Sequence, residues 1–149
     1  MSDCVFCRIV DGSAPARTVY EDDDVVGFLD IRPVTRGHVL IVPRTHSTGL
    51  ADLSVDDGAA VMRAGQLVAT ALRNAPLRPG GEGADGANLV INDGRAAFQT
   101  VFHTHLHVIP RHRGDKLRVL RSLAIRRVRD PDSTARVVSE AVRERIEQQ

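Results

Sequence analysis

The chain has 149 residues, a formal net charge of +1 and an apolar fraction of 42%. This length suits one domain with its own core, and the near-neutral charge gives no reason to expect nucleic-acid or membrane binding. Tryptophan is absent and aromatic residues make up 3% of the chain, which argues against a nucleic-acid surface built on stacking. Neither a bilayer-spanning run nor a secretory signal is visible, so we expect a cytoplasmic protein.

Short apolar runs in the first third of the chain predict three β-strands. Residues 18–20 and 25–29 flank the acidic cluster 21–24, which predicts a turn between two strands rather than a metal site. Residues 38–43 form a third run, which is rich in β-branched residues and ends at a proline.

Residues 54–75 predict the main helix. Ser54 followed by Asp57 resembles a capping box, apolar residues recur at helical spacing, and Pro76 ends the pattern. The following Gly- and Pro-rich segment predicts a loop. Its glycines at 80–83 lack the strand-then-helix context of a phosphate-binding loop, so we do not assign that role to them.

The second half of the chain predicts two further strands and a final helix. Residues 88–92 and 100–109 are the predicted strands, joined by a connection over 93–99. Asp130-Pro131 then introduces a C-terminal helix. Several strands with short links and one long helix predict an α+β fold with an antiparallel sheet. A basic stretch after Pro110, interpreted as a solvated surface rather than a polyanion site, contains Arg111, Arg113, Lys116, Arg118, Arg121, Arg126, Arg127 and Arg129.

Three of the six histidines lie at alternate positions, as His103, His105 and His107. On a strand, residues two apart face the same side about 6.6 Å from one another, so the three rings would form one row. The residues between and beside them would turn into the core, namely Phe102, Thr104, Leu106 and Val108. This concentration of imidazoles indicates chemistry rather than packing.

A neutral imidazole is a good nucleophile toward phosphorus and a good leaving group once protonated, so it supports a two-step phosphoryl or nucleotidyl transfer. His105 has a histidine on each side and is the predicted nucleophile. His107 is predicted to donate to a phosphate oxygen or the leaving group. Polar residues near the row, which could bind phosphate oxygens, are Asn92, Gln99 and Thr100.

A competing use of the histidines is metal binding. Cys4 and Cys7 form a CxxC pair, and His46 and His103 could complete a tetrahedral zinc site. Two free thiols or a redox pair remain open as alternatives. A zinc-bound His103 could orient the row, but it could not shuttle protons at the same nitrogen.

The segment 99–109, in which Gln99-Thr100-Val101 precedes the three histidines and two apolar residues follow them, resembles the histidine triad (HIT) family of nucleotide hydrolases and transferases. Residues 28–33 and 37–43 are similar to the same family. The resemblance covers residues 4–113. It implies an HIT-like nucleotide-hydrolase domain over 1–113, with residues 114–149 as a basic segment and helix packed on that domain.

This resemblance implies that His105 attacks the α-phosphate of a nucleotide and forms a nucleotidyl-histidine, which water then hydrolyses. His107 would act at the phosphate and His38 would support the histidine row. The implied phosphate contacts are Asn92, Gln99, Thr100 and His107. The implied ribose and base contacts are Phe28, Asp30 and Ile31, with Phe6 and Ile9 at the pocket edge. For bacterial-type members the resemblance also implies a structural zinc ion on Cys4, Cys7, His46 and His103, and no cofactor for the chemistry.

Three positions depart from the family pattern. Thr104 stands at a usually apolar position, Phe98 stands where many members have glycine, and Arg36 replaces the usual proline before Gly37. None of these removes a reacting group, so the expectation of activity stands. The identity of the substrate is what they put in question.

We therefore expect an enzyme of the phosphoramidase or diadenosine-polyphosphate-hydrolase type that acts on a purine nucleotide. Two alternatives belong to other classes: a nucleotide-binding regulatory module with little catalytic activity, and a zinc-stabilised interaction protein. The resemblance also implies a homodimer.

Overall fold

The computed structural model describes residues 4–117, 119–120 and 130–149. Its helices include α1 (Val5–Val10), α2 (Val55–Ala71) and α3 (Pro131–Glu147), with a 3-10 turn at Arg95–Ala97. Its strands are β1 (Thr18–Glu21), β2 (Val25–Leu29), β3 (Val39–Pro43), β4 (Gly86–Ile91) and β5 (Leu106–Arg111). Part of the predicted basic stretch lies outside the described residues, namely Arg118, Arg121, Arg126, Arg127 and Arg129.

The five strands form one antiparallel sheet in the order β1-β2-β3-β5-β4. The predicted α+β class, with an antiparallel sheet, one long helix and a C-terminal helix, is confirmed. Because β5 lies between β3 and β4, the histidine-rich segment enters the sheet next to its centre. In this register His107 of β5 pairs with Leu40 of β3.

Both faces of the sheet are covered, which explains why every residue of β2 and β3 is buried. Side chains alternate along a strand, so consecutive residues enter different cores. Val25 and Ile41 belong to a large core that also contains residues of α2 and α3. Phe28 and Leu40 face a smaller core on the other side, where Phe6 of α1 packs. The smaller core is the one beside the histidines.

The acidic cluster between β1 and β2 forms the predicted turn. The Asp22 carboxylate accepts the amides of Asp24 and Val25, both at 2.9 Å, and the Tyr20 hydroxyl donates to it at 2.6 Å. Backbone donors and a tyrosine hydroxyl therefore satisfy this carboxylate, in keeping with a turn rather than a metal site.

The two long helices begin where their capping residues predict. The Ser54 hydroxyl accepts the Asp57 amide at 3.0 Å, and the Asp130 carboxylate accepts the Ser133 amide at 3.2 Å. α2 ends at Ala71, earlier than the predicted residue 75, where the amides of Arg73 and Asn74 bond to carbonyls three residues back and tighten the chain. Within the described residues, no helix has the length and apolar character needed to cross a membrane.

Candidate functional site

The histidine segment does not form the long strand that its alternation predicts. β5 begins at Leu106, so only His107 of the three histidines lies in the sheet. The ladders that β5 makes with β3 and β4 both end at Leu106. Upstream of it, the Thr104 amide donates to the Ser47 carbonyl at 2.7 Å and joins a loop rather than a strand. The predicted strand over 100–109 is therefore confirmed from Leu106 onward and wrong over residues 100–105.

Because residues 100–105 are not part of a strand, the rings of His103, His105 and His107 do not form the predicted single row. His103 and His105 are 0% and 4% exposed, although the alternation predicts that both face outward from the core. Phe102, which the same alternation places in the core, is 37% exposed. Thr104 is buried as predicted, and its hydroxyl contacts that of Ser47 at 2.9 Å. Each of the three histidines consequently has a different environment.

His103 faces a cluster of four potential metal ligands with Cys4, Cys7 and His46. The Nδ1 atom of His103 lies 3.5 Å from the Cys4 sulfur, 3.6 Å from the Cys7 sulfur and 3.3 Å from Nδ1 of His46. The Cys7 sulfur lies 3.2 Å from Nδ1 of His46. The other ring nitrogen fixes the orientation of His103, because its Nε2–H donates to the Pro43 carbonyl at 2.9 Å.

These distances fit a tetrahedral zinc ion. With Zn–S near 2.3 Å and Zn–N near 2.05 Å, tetrahedral angles put sulfur and nitrogen about 3.6 Å apart and two nitrogens about 3.3 Å apart. Two thiolates and two imidazoles are also the donor set that zinc prefers, and a carbonyl that orients a ligating histidine is a usual supporting contact. Burial lowers the pKa of His103, which keeps this ligand neutral. The cluster is compatible with structural zinc.

His105 is held in one tautomer by its own backbone neighbourhood. A carbonyl oxygen only accepts, so the 2.7 Å contact between Nδ1 of His105 and the His103 carbonyl assigns the proton to Nδ1. Nε2 then carries the free lone pair. Burial lowers the pKa of His105, so the ring is neutral near pH 7. A neutral, oriented imidazole with an available lone pair has the properties of a nucleophile.

A second chain of hydrogen bonds orients His107. The Val34 amide donates to Nδ1 of His38 at 3.1 Å, so His38 carries its proton on Nε2. Nε2 of His38 lies 3.0 Å from Nδ1 of His107, to which it donates. His107 therefore carries its own proton on Nε2, and its ring centroid lies 4.9 Å from that of His105. A proton donor thus stands beside the predicted nucleophile.

Asp30 lies at the edge of this pair of rings. One carboxylate oxygen is 3.6 Å from Nδ1 of His38, and the other accepts the Arg32 amide at 2.7 Å. Nδ1 of His38 already accepts the Val34 amide, and the negative charge of Asp30 opposes the lowering of the His105 pKa by burial. Its half-buried carboxylate is available at the rim of the site.

The other predicted nucleotide contacts differ in burial and in hydrogen-bond partners. Gln99 is buried, and its amide group donates to the Thr48 and Val101 carbonyls at 2.8 and 3.1 Å. Both amide protons thus hold the loop, which makes this side chain a support for the site. Phe28 is buried in the smaller core, whereas Ile31 is 79% exposed. Asn92 follows β4 and is half-buried, and Thr100 is exposed.

Phe98 has a backbone conformation that explains the usual preference for glycine at its position. Its φ of 67° and ψ of 22° lie in the left-handed region, and its side chain is 83% exposed. A residue with a Cβ pays a conformational cost there that glycine does not. The loop tolerates it because the Gly94 amide and carbonyl bond to Gln99 at 2.8 and 3.1 Å and close the loop across Phe98.

Helix α1 is the functional element that the sequence patterns do not predict. Its six residues are too few to show helical periodicity, although Cys4 acts as its N-cap by accepting the Cys7 amide at 3.4 Å. The rings of Phe6 and His105 pack in T-shaped geometry with centroids 5.2 Å apart. The CxxC spacing was the available signal, since residues three apart lie on one face of a helix.

Comparisons with known proteins agree with this geometry. A family model described as HIT domain matches residues 11–114. An uncharacterized HIT-like protein of Mycobacterium tuberculosis is 47% identical over 139 residues, which are 93% of this chain and 92% of that protein. An adenylylsulfatase of Arabidopsis thaliana is 39% identical over 122 residues, covering 82% of this chain and 59% of that protein.

Among solved structures, a zinc-bound histidine triad family protein from Mycobacterium smegmatis superposes with a TM-score of 0.88 at 45% identity. The similarity covers 99% of each chain, so it includes the C-terminal helix that lies beyond the HIT domain match. The family match and these relatives show that the chain belongs to the HIT domain family.

Proposed function

We propose that this protein is a nucleotide hydrolase or transferase that acts at the α-phosphate of a purine nucleoside phosphoramidate or a dinucleoside polyphosphate. The observation that carries the proposal is the contact between Nδ1 of His105 and the His103 carbonyl. This contact leaves the lone pair of the neutral His105 ring on Nε2. The neighbouring His107 carries its proton on its own Nε2.

In the proposed reaction, Nε2 of His105 forms a bond to the α-phosphorus while the bond from phosphorus to the leaving nitrogen or oxygen breaks. Nε2–H of His107, whose tautomer is supported by His38, donates a hydrogen bond to the leaving group, which takes its proton from solvent. Water then attacks phosphorus, breaks its bond to His105 and releases the nucleoside monophosphate. The proton that this water releases goes to solvent, and His107 keeps its Nε2–H throughout the cycle. Asp30, at the rim, is placed to accept hydrogen bonds from ribose hydroxyls.

The test is single-turnover and steady-state kinetics of the parent and the His105→Asn variant on adenosine phosphoramidate and a dinucleoside polyphosphate. Removing a covalent nucleophile should lower kcat by several powers of ten. His112→Asn is the matched control, because it removes a half-buried histidine beyond β5. Equal turnover by His105→Asn and the parent, or an adduct trapped on another residue, would refute the proposal. Tight nucleotide binding by a parent without turnover would favour the regulatory-module alternative.

We further propose that Cys4, Cys7, His46 and His103 bind one zinc ion whose role is structural. The ion ties α1 and the loop after β3 to the histidine segment, three parts of the chain that are distant in sequence. Purified protein should contain one zinc per chain by elemental analysis, and chelation should lower its Tm. A Cys4→Ser/Cys7→Ser variant that retains zinc and an unchanged Tm would contradict this assignment.

A further inference from the structure

Phe6 lies on the six-residue helix α1 between two of the four metal-site residues. Cys4 caps this helix and Cys7 lies within it, so both sulfurs face the metal cluster. Phe6 is 7% exposed. Its ring meets those of Phe28, His103 and His105 in edge-on geometry, with centroids 5.4, 6.0 and 5.2 Å away. Of these, the contact with His105 is the nearest to perpendicular, at 80°.

His103 connects the same cluster to His105 by a second route. Its imidazole faces the metal site, while its carbonyl accepts the Nδ1–H of His105 at 2.7 Å. Two contacts thus hold the His105 ring: a hydrogen bond at Nδ1 and a T-shaped contact with the Phe6 ring. The hydrogen bond comes from His103, which belongs to the metal cluster. The ring contact comes from Phe6, which lies between Cys4 and Cys7 in the sequence.

We propose that Phe6 is a positioning residue for His105, and that zinc binding at the four-residue cluster sets the orientation of the His105 ring through Phe6 and the His103 carbonyl. This inference rests on the proposed nucleophilic role of His105. The physical reason is that α1 is too short to be stable alone, so its placement depends on what its side chains bind. Zinc ties both ends of this helix turn to His103 and fixes the Phe6 ring between them.

The kinetic test compares the zinc-loaded Phe6→Leu variant with the parent. Leucine keeps an apolar side chain in the smaller core but removes the aromatic ring that packs in T-shaped geometry on His105. We expect kcat on adenosine phosphoramidate to fall about 10- to 100-fold, because misplacement of a reacting group by about 1 Å has an effect of this size. KM is measured in the same assay, because the resemblance also puts Phe6 at the edge of the base pocket. A lower kcat with KM within about twofold of the parent supports positioning through His105, whereas a raised KM with unchanged kcat would overturn it.

Val10→Ala is the matched control, because Val10 is a half-buried apolar residue of the same helix that packs in the same core. Its kcat should equal that of the parent. A Phe6→Leu kcat within twofold of the parent, or an equal loss in both variants, would overturn the role of Phe6. If Phe6→Leu does not fold, the spectroscopic test of the parent decides.

The second test observes the His105 ring directly in protein carrying ¹⁵N-labelled histidine, with its signals assigned by comparison with His105→Asn. In the zinc-loaded parent, the Nδ1–H signal should be present and slow to exchange because the His103 carbonyl holds it. Removal of zinc should broaden or abolish this signal while the β5 backbone amides persist, and zinc addition should restore it. An unchanged ring signal without zinc would refute the coupling.

Loss of the whole β5 spectrum on zinc removal would make the ion a requirement for folding and would also overturn a specific positioning role. The coupling and the proposed function fail in different ways. A His105→Asn variant as active as the parent removes the nucleophile assignment. If the His105 ring signals do not change on zinc removal and the His105→Asn variant is inactive, the nucleophile assignment stands. Only the coupling between zinc binding and the His105 ring is then rejected.

Discussion

Gly65 lies on the face of α2 that packs against β5, and its replacement by alanine gives a sharp stability prediction. A Cβ at this position would overlap the Leu106 side chain and lie 3.4 Å from Leu89. Leu106 is 1% exposed, so its side chain must shift within the core to make room for this Cβ. Inserting a methyl group into such a packed core costs about 1–3 kcal/mol. Helix propensity offsets about 1 kcal/mol of this, so Gly65→Ala should destabilise the protein by about 1 kcal/mol.

Gly58 on the same helix is the matched control. A Cβ there would lie 3.5 Å from the Leu53 side chain, which is an ordinary van der Waals contact. Gly58→Ala should therefore show only the propensity gain, about 0.5–1 kcal/mol, since the residue is near the start of the helix. The two variants should differ by about 2 kcal/mol, which for a chain of this size corresponds to about 4–8 °C in Tm.

The assay is urea unfolding followed by circular dichroism, with zinc present at saturation so that metal loss does not enter the comparison. Equal slopes for the three proteins would show that the midpoints report stability. A Gly65→Ala variant as stable as Gly58→Ala would show that Leu106 has room to move. That result would refute the inference that the close approach of α2 to β5 requires glycine.

Three further predictions concern regions outside the histidines. Asp115 accepts a paired hydrogen bond from Arg111, which holds its pKa at about 2, so Asp115→Asn should cost about 1–2 kcal/mol at pH 7. Because the folded-state pKa is depressed, this contribution is present above about pH 4 and should shrink as urea midpoints are measured toward pH 3; a pH-independent cost would contradict it. Arg36→Ala should cost about 1–2 kcal/mol, since the guanidinium bonds to Thr134 of α3 at 2.9 Å, and an unchanged urea midpoint would show that this contact contributes nothing. Phe98→Gly should raise stability by about 0.5–1 kcal/mol by relieving left-handed strain, whereas a similar gain in Phe98→Ala would point to another cause.

The long elements and their caps could be predicted because their signals are local. Ser54 and Asp130 begin helices by bonding to amides three residues on, and the apolar runs of β2 and β3 are continuous because helices cover both sheet faces. Helix α1 could not be predicted in this way. Its placement depends on Cys4 and Cys7 meeting His46 and on Phe6 meeting His105, contacts that lie far apart in the chain.

Residues 100–105 do not extend the strand, contrary to the prediction, for a related reason. Alternating residues share a face of a strand, but a strand forms only where a neighbouring strand pairs with it. Both neighbours of β5 stop pairing at Leu106. The amide of Thr104 donates to the Ser47 carbonyl instead, so the segment that carries His103 and His105 lies outside the sheet. Only the tertiary structure contains this information, because a ladder requires a partner that local sequence does not specify.

By itself, the sequence determined the chemical inventory: three closely spaced histidines, a CxxC pair, and the fold class whose sheet carries them. The tertiary structure decided which nitrogen of each ring holds the proton. His105 keeps its proton on Nδ1 because the His103 carbonyl accepts it, and His107 keeps its proton on Nε2 because Val34 and His38 donate in series. A tautomer depends on what each ring nitrogen faces in space, and spacing along the chain does not encode that.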